Sequence, residues 1–274
     1  MPRMPDSLRA LLANLIDYAG LYPPAGLALP AVLENYETYL ASPESRMLNR
    51  LVLPAAKLPE APLGDNWRVT LLVEGEPGPL PAQVETLETR LPHRVSLPTY
   101  CEASIGGIQG GFAKVRTGGL TPETIPSSEA LADFLGEAAS RHIAFKATAG
   151  LHHPIRSLHP LTYAPDSPCA TMHGFVNVFV AAAFAWQGAE RDAILDVLNE
   201  GDAGAFQFLT GELRWHGRSI TVARSSARAA ISRTALARVR SRSLSRIYRL
   251  WGGLLSGAAP RAAAASHAAR AEAG

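Results

Sequence analysis

Two lysines at the ends of predicted strands have the clearest potential for chemistry. The chain has only three lysines, and Lys114 and Lys146 lie in the short apolar runs 112–117 and 143–148, each followed by a glycine-containing turn. Side chains alternate along a strand, so each lysine shares the face opposite to the apolar residues of its run. If the apolar faces pack on outer helices, both lysines point into the interior of an α/β barrel.

An inward lysine in such a place is suited to imine chemistry. A buried ammonium group is costly unless it is paired or used. Burial and a second nearby cation favour the neutral amine, which can attack a carbonyl carbon and form a Schiff base. Arg116 shares the face of Lys114, so Lys114, Arg116 and Lys146 could supply such repulsion. The alternative for each lysine is an ordinary salt-bridged or snorkelling residue.

Short apolar runs alternate with helical patterns along the chain, which predicts parallel βα units and an α/β fold of the (β/α)8 (TIM) barrel type. Only about seven strands are predicted, and nine residues, 103–111, separate two presumed parallel strands, so the barrel is predicted to be incomplete. The predicted strands are the end of the run 11–18 and the segments 50–54, 67–73, 95–102, 112–117, 143–148 and 174–178. The predicted helices are 30–40, 81–91, 128–141 and 190–199, and the run 175–186 fits a buried helix as well as a strand.

Three regions are predicted along the chain. Residues 1–200 form the barrel domain, 201–221 a hairpin-like extension turning near Thr210-Gly211, and 222–274 a weakly structured tail rich in Arg and Ala. The segment 213–274 holds 12 arginines and one acid, Glu272. Such a basic segment is the one part of the chain that could bind nucleic acid or an anionic membrane surface.

The remaining composition predicts a cytoplasmic protein. Two cysteines, Cys101 and Cys169, do not suggest a disulfide framework. No signal peptide is evident, and the longest apolar run, 175–186, is too short to cross a bilayer. We therefore expect no membrane partner, and assembly into a homo-oligomer stays open.

Three segments in the same order resemble deoxyribose-phosphate aldolase. The family's IDHTLL-x-P segment is similar to IDYAGLYP at 16–23. Its K-T/S-S-T-G strand end is similar to KVRTGG at 114–119, and its K-A/S-x-G-G-I-R strand end to KATAGL at 146–151. The similarity covers about a quarter of the chain. The main support for the resemblance is that the three segments occur in the same order.

The resemblance implies a β/α barrel enzyme of the Schiff-base (class I) aldolase type, a carbon–carbon lyase acting on a small carbonyl substrate without a cofactor. Lys114 would form the imine, Lys146 would be the neighbouring cation that favours its neutral form, and Asp17 would hold the lysines or relay protons. The family's second acid, on a middle strand, has no clean match. Glu102 is the nearest candidate for general acid–base work.

Substrate contacts are predicted at the same rim. The family binds phosphate at glycine-rich turns, but here those turns carry His152, His153 and His173, so a phosphorylated sugar is not assigned, although Arg156 could meet an anion. The predicted substrate-binding residues are Arg116, Thr117, Thr148, His152, Arg156, His173 and Asn177.

Two alternatives stay open. One is a metal-dependent barrel enzyme that uses His152 or His173 with Asp17 or Glu102, although the spacing matches no known zinc signature. The other is a non-catalytic barrel protein. The leading hypothesis assigns no metal site.

Overall fold

A seven-stranded, all-parallel, curled sheet forms the centre of this mixed α/β protein. The computed structural model describes residues 4–23, 25–89, 97–102, 112–221 and 237–239. Each strand pairs in parallel with the next along the chain, an arrangement consistent with part of a β/α barrel. The strands are β1 (Ile16–Tyr18), β2 (Leu48–Pro54), β3 (Val69–Leu72), β4 (Val84–Thr89), β5 (Thr99–Glu102), β6 (Phe112–Arg116) and β7 (Phe145–Thr148).

The described residues include five α-helices, which surround this sheet unevenly. They are α1 (Asp6–Leu12), α2 (Leu29–Leu40), α3 (Ser128–Ser140), α4 (Phe175–Trp186) and α5 (Arg191–Asn199). Proline in the first turn favours the start of α2, and the Ser127 side chain caps α3 by accepting a hydrogen bond from the Ala130 amide at 3.2 Å. No α-helix lies in the described parts of the connections from β2 to β6.

The larger core joins four of these helices to the outer face of β6 and β7. Phe145 of β7 makes an edge-to-face contact with Phe134 of α3, with ring centroids 5.4 Å apart, and stacks on Phe179 of α4 at 6.5 Å. All three rings are buried. Aromatic contacts of this kind add to the free energy gained from burial of apolar surface.

A second core packs α2 on β1 to β4. Tyr36 of α2 is fully buried against Trp67, with ring centroids 5.2 Å apart. Its hydroxyl lies 3.0 Å from the Asn49 carbonyl and 3.2 Å from the Arg68 carbonyl. The helix is thereby fixed to the N-terminal halves of β2 and β3 through a polar group that would otherwise be buried without a partner.

Three smaller sheet elements complete the described structure. An antiparallel pair, β8 (Ser157–Pro160) and β9 (Cys169–Met172), lies between β7 and α4. The three-stranded sheet β10 (Phe206–Phe208), β11 (Glu212–Trp215) and β12 (Arg218–Thr221) contains the hairpin predicted near Thr210-Gly211 and adds a second hairpin at His216-Gly217. The backbone of β13 (Ala237–Val239) pairs in parallel with β1 and thereby adds an eighth strand to the central sheet. The rest of the predicted tail lies outside the described residues.

The predicted helix at 81–91 is wrong, because Val84–Thr89 is strand β4 and 90–91 lie outside the described residues. The pairing with β3 shifts by one residue between Val84 and Thr86, which is a β-bulge. The bulge lets Val84 and Leu87, three positions apart, both join the core of α2. A spacing of three is typical of a helix, which is why the pattern was misleading.

The predicted strand at 174–178 is also wrong, and the alternative of a buried helix over 175–186 is confirmed by α4. All its residues except the last, Trp186, are buried. A helix that is apolar on every side has no amphipathic period, so periodicity alone could not separate it from a strand. The other predicted helices are confirmed within two residues at each end.

The short predicted connection between β5 and β6 is confirmed, since Cys101 pairs with Ala113 in a parallel arrangement. Residues 103–111, which join these strands, lie outside the described part of the chain. Among the described residues, no helix is long and apolar enough to cross a membrane.

The ends of β6 and β7 approach each other through glycines. Gly150 has φ +78°, and a Cβ placed on it would lie 2.8 Å from the Thr117 carbonyl oxygen and 2.9 Å from the Gly118 Cα. A left-handed backbone and this close approach both require glycine.

We expect Gly150→Ala to lower the free energy of unfolding by about 2–4 kcal/mol, because it adds a backbone clash to left-handed strain. Gly188→Ala is the matched control, since Gly188 has φ +82° and nothing within 4 Å of the added Cβ. It should cost only about 1 kcal/mol. Urea denaturation measures both values, and equal losses in the two variants would contradict the close approach.

Candidate active site

The alternation of side chains in β6 and β7 places both predicted lysines on the concave side of the sheet. Ala113 and Val115 of β6, with Phe145 and Ala147 of β7, belong to the outer core with the helices. Lys114 and Lys146 therefore face inward, and they pair directly across the two strands. The face assignment made from the sequence is confirmed.

One carboxylate lies between the two ammonium groups. The Lys114 Nζ is 3.3 Å from Glu88 Oε2, and the Lys146 Nζ is 3.0 Å from Glu88 Oε1. Lys146 is also 2.8 Å from Asp17 Oδ2. Glu88, Asp17 and Lys146 are almost completely buried, and the Lys114 side chain keeps 9 % of its surface exposed. Two cations and two anions thus form one buried cluster, which we call the lysine–carboxylate cluster.

Asp17 is fixed by four donors. Its Oδ1 accepts hydrogen bonds from the Asn49 side-chain amide at 3.0 Å and from the Arg50 backbone amide at 2.9 Å. Its Oδ2 accepts from the Thr70 hydroxyl at 3.3 Å and from the Lys146 ammonium group. This arrangement holds the carboxylate of the three-residue strand β1 rigidly toward Lys146.

Lys146 is held as a cation. Burial lowers the pKa of Lys146, but the Asp17 and Glu88 carboxylates raise it by more, so the net pKa lies above the ordinary value of 10.5. The Tyr100 ring adds a cation–π contact, with its centroid 4.9 Å from the Lys146 Nζ. Burial in turn raises the pKa of Tyr100. The Lys146 side chain is therefore held as an ammonium ion, which is not nucleophilic.

Glu88 is the site residue that sequence reasoning missed. It lies in the stretch that was predicted to be a helix, and the bulge in β4 hides the alternation that would place it beside Thr86 on the concave face. Glu102, the acid predicted instead, ends β5 and pairs in register with Lys114. Its side chain lies outside the described structure, so its role stays a prediction.

The predicted threonines join the ends of the two lysine strands. The Thr148 hydroxyl donates to the Val115 carbonyl at 3.3 Å. The Thr117 hydroxyl donates to the Thr148 carbonyl at 3.3 Å and also contacts the Ala149 carbonyl. Both side chains are buried. These bonds position the loops above the lysines.

Asn177 fastens the loop after β7 to the helices. Its side-chain oxygen accepts from the Arg156 backbone amide at 2.9 Å. Its amide nitrogen donates to the Val197 carbonyl at 2.9 Å and to the Glu200 carbonyl at 2.8 Å. The described hydrogen bonds of the Asn177 side chain therefore all join backbone segments, and one of them fixes the position of the Arg156 backbone.

His173 is buried beside that loop, and His152 is half-buried. The Nε2 of His173 donates to the Pro126 carbonyl at 2.8 Å. Burial lowers the pKa of His173, and the nearby Arg156 lowers it further, so the neutral imidazole is favoured. Within the described residues, no group of three His, Cys, Asp or Glu side chains is arranged to hold a metal ion.

Removing one member of the lysine–carboxylate cluster should leave buried charge without compensation. We expect Lys146→Met to lower the free energy of unfolding by about 3–5 kcal/mol, because Asp17 and Glu88 lose their shared cation. Lys57→Met is the matched control, since Lys57 pairs with Glu60 at an exposed position, and it should change stability by less than about 1 kcal/mol. Chemical denaturation measures both, and similar values would contradict a buried ion cluster.

The same comparison has a pH dependence. The pKa of Lys146 is raised in the folded protein, so its stabilising contribution is complete below the ordinary value of 10.5 and is lost as the pH rises through the folded value. The stability difference between the wild type and Lys146→Met should therefore be constant near neutral pH and decline only above about pH 10.5.

Comparisons of this chain with protein-family models, with curated proteins and with solved structures find no match. The interpretation of the site therefore depends on the residues and contacts described above.

Proposed function

We propose that the chain is an imine-forming enzyme of the class I aldolase type, a carbon–carbon lyase that binds a small carbonyl substrate through Lys114. One observation carries the proposal. The Glu88 carboxylate lies between two buried lysine ammonium groups on neighbouring strands. Asp17 also pairs with the second of these groups, that of Lys146. The three-segment resemblance to deoxyribose-phosphate aldolase agrees with this arrangement. The full (β/α)8 barrel is part of the proposal, with the β1 edge extended by β13.

Lys114 is the better nucleophile of the two. The Lys146 side chain is 1 % exposed and lies within 3.0 Å of two carboxylates, which favour its charged form. The Lys114 side chain is 9 % exposed, so it is the more accessible of the two lysines to a small molecule. The Lys146 ammonium group lies beside Lys114 across the strand pair, and we assign it the role of the neighbouring cation that the resemblance implies.

The chemical steps follow from these roles. Glu88 would accept a proton from Lys114, and the free Nζ would add to the substrate carbonyl carbon. Loss of the carbonyl oxygen as water, with protons returned through Glu88, gives the iminium ion. The bond between the α- and β-carbons of the substrate then breaks, and its electron pair moves toward the iminium to form an enamine. The β-carbon, which carries the hydroxyl group, leaves as an aldehyde, and its hydroxyl proton passes to the Glu88 carboxylate. That proton is returned to the enamine carbon, and water hydrolyses the resulting iminium, which releases the carbonyl product and the Lys114 amine.

Reductive trapping tests the assignment directly. We expect sodium borohydride, added with a small ketone or aldehyde, to deliver hydride to the iminium carbon and leave a stable secondary amine on Lys114, located by peptide mass spectrometry. Lys114→Met should abolish the adduct at this position. Lys57→Met should leave it unchanged, because Lys57 lies in an exposed ion pair. A panel of aldehydes and keto acids that gives no adduct would contradict the proposal.

The role of Glu88 can be separated from its structural effect. We expect Glu88→Gln to slow adduct formation by about 100-fold, because it removes the nearest described proton acceptor from Lys114. Glu85→Gln is the matched control on the same strand, since Glu85 pairs with Arg50 and Arg68 instead. Its rate of trapping should stay within about twofold of the wild type, so equal losses would show that Glu88 acts only through stability.

A further inference from the structure

We infer that the substrate carries a carboxylate next to its carbonyl group, and that Arg116 binds this carboxylate. The proposed substrate class is thus a small 2-oxo acid. The inference deepens the proposed function, because it assumes that Lys114 forms the imine. Its basis is the position of Arg116 relative to the lysine–carboxylate cluster.

Arg116 lies directly above Lys114 on the concave face. It is two residues further along β6, so the two Cα atoms are separated by about 6.6 Å in the direction of the C-terminal edge. Arg116 pairs in register with Thr148, as Lys114 does with Lys146. Its side chain is exposed, whereas Lys114 is buried. Two long side chains with this spacing can reach adjacent atoms of one small molecule.

The guanidinium group of Arg116 has no partner among the described residues. The arginines on β2 and before β3 are different, since Arg50 and Arg68 share the Glu85 carboxylate at 2.8 and 2.9 Å. The two lysines below Arg116 are balanced by Asp17 and Glu88. Among the described residues, the layer at the C-terminal edge therefore has a positive charge without a counter-ion next to the proposed nucleophile, which favours an anionic substrate group.

The surroundings favour a carboxylate over a phosphate. The guanidinium fork matches the two oxygens of a planar carboxylate. A phosphate would gain from free backbone amides at a helix start, but the first two amides of α4 already donate to loop carbonyls. The Phe175 amide is 3.0 Å from the His153 oxygen, and the Val176 amide is 2.9 Å from the Pro154 oxygen.

Borohydride trapping with a matched pair of ketones tests the inference. Pyruvate and hydroxyacetone differ in having a carboxylate or a hydroxymethyl group beside the same acetyl carbon. We expect the wild type to reach half-maximal labelling of Lys114 at a roughly tenfold or more lower concentration of pyruvate. Arg116→Gln should raise the pyruvate concentration that gives half-maximal labelling by roughly tenfold or more, and an unchanged midpoint of urea denaturation shows that the variant is folded.

Arg218→Gln is the matched control, because Arg218 is also an exposed strand arginine but lies on β12 in the separate three-stranded sheet. It should keep the preference for pyruvate. Equal labelling by both ketones in the wild type would overturn the carboxylate inference and leave the imine proposal standing. Stronger labelling by dihydroxyacetone phosphate than by pyruvate would also overturn it. Failure of every ketone and aldehyde to label Lys114 would overturn both.

Discussion

The ion pair between Asp17 and Lys146 requires the sheet to curl. These residues lie on β1 and β7, which are six strand-to-strand steps apart in the order of the sheet, and their charged atoms are 2.8 Å apart. Six spacings of about 4.8 Å would separate the two strands by roughly 29 Å in a flat sheet. Only a strongly curved sheet can bring both strands to one point. Glu88, on the middle strand β4, then reaches the same point from the opposite wall.

This geometry places charge where it is costly and then compensates it. An unpaired ammonium group inside the sheet would be unfavourable by several kcal/mol, and the two carboxylates offset that cost only while all four groups stay in contact. Lys146 is held from two sides by Asp17 and Glu88, which keeps its pKa high in spite of burial. Lys114 shares Glu88 but is the more exposed of the two side chains. The same buried cluster therefore gives its two lysines unequal environments, since Lys146 contacts both carboxylates at 1 % exposure and Lys114 contacts Glu88 at 9 % exposure.

The sequence predicted the faces of β6 and β7 well, because each strand has apolar residues at alternate positions around a single lysine. It also placed Asp17 at the site, through the resemblance of the segment around β1. It could not place Glu88, since a bulge moves Val84 and Leu87 to a helix-like spacing. The α4 segment was ambiguous for the opposite reason, as an element buried on all sides has no polar face to set a period.

The charges along the concave face also differ from one end of the strands to the other. Toward the N-terminal ends, Glu85 neutralises two arginines, and in the middle layer two carboxylates balance two lysines. At the C-terminal edge, Arg116 adds a cation without a described counter-ion. A 2-oxo acid would therefore enter with its carboxylate retained at the edge by Arg116, and its carbonyl carbon would be directed inward to Lys114. In the proposed reaction, this order of charges along β6 would orient the substrate as well as attract it.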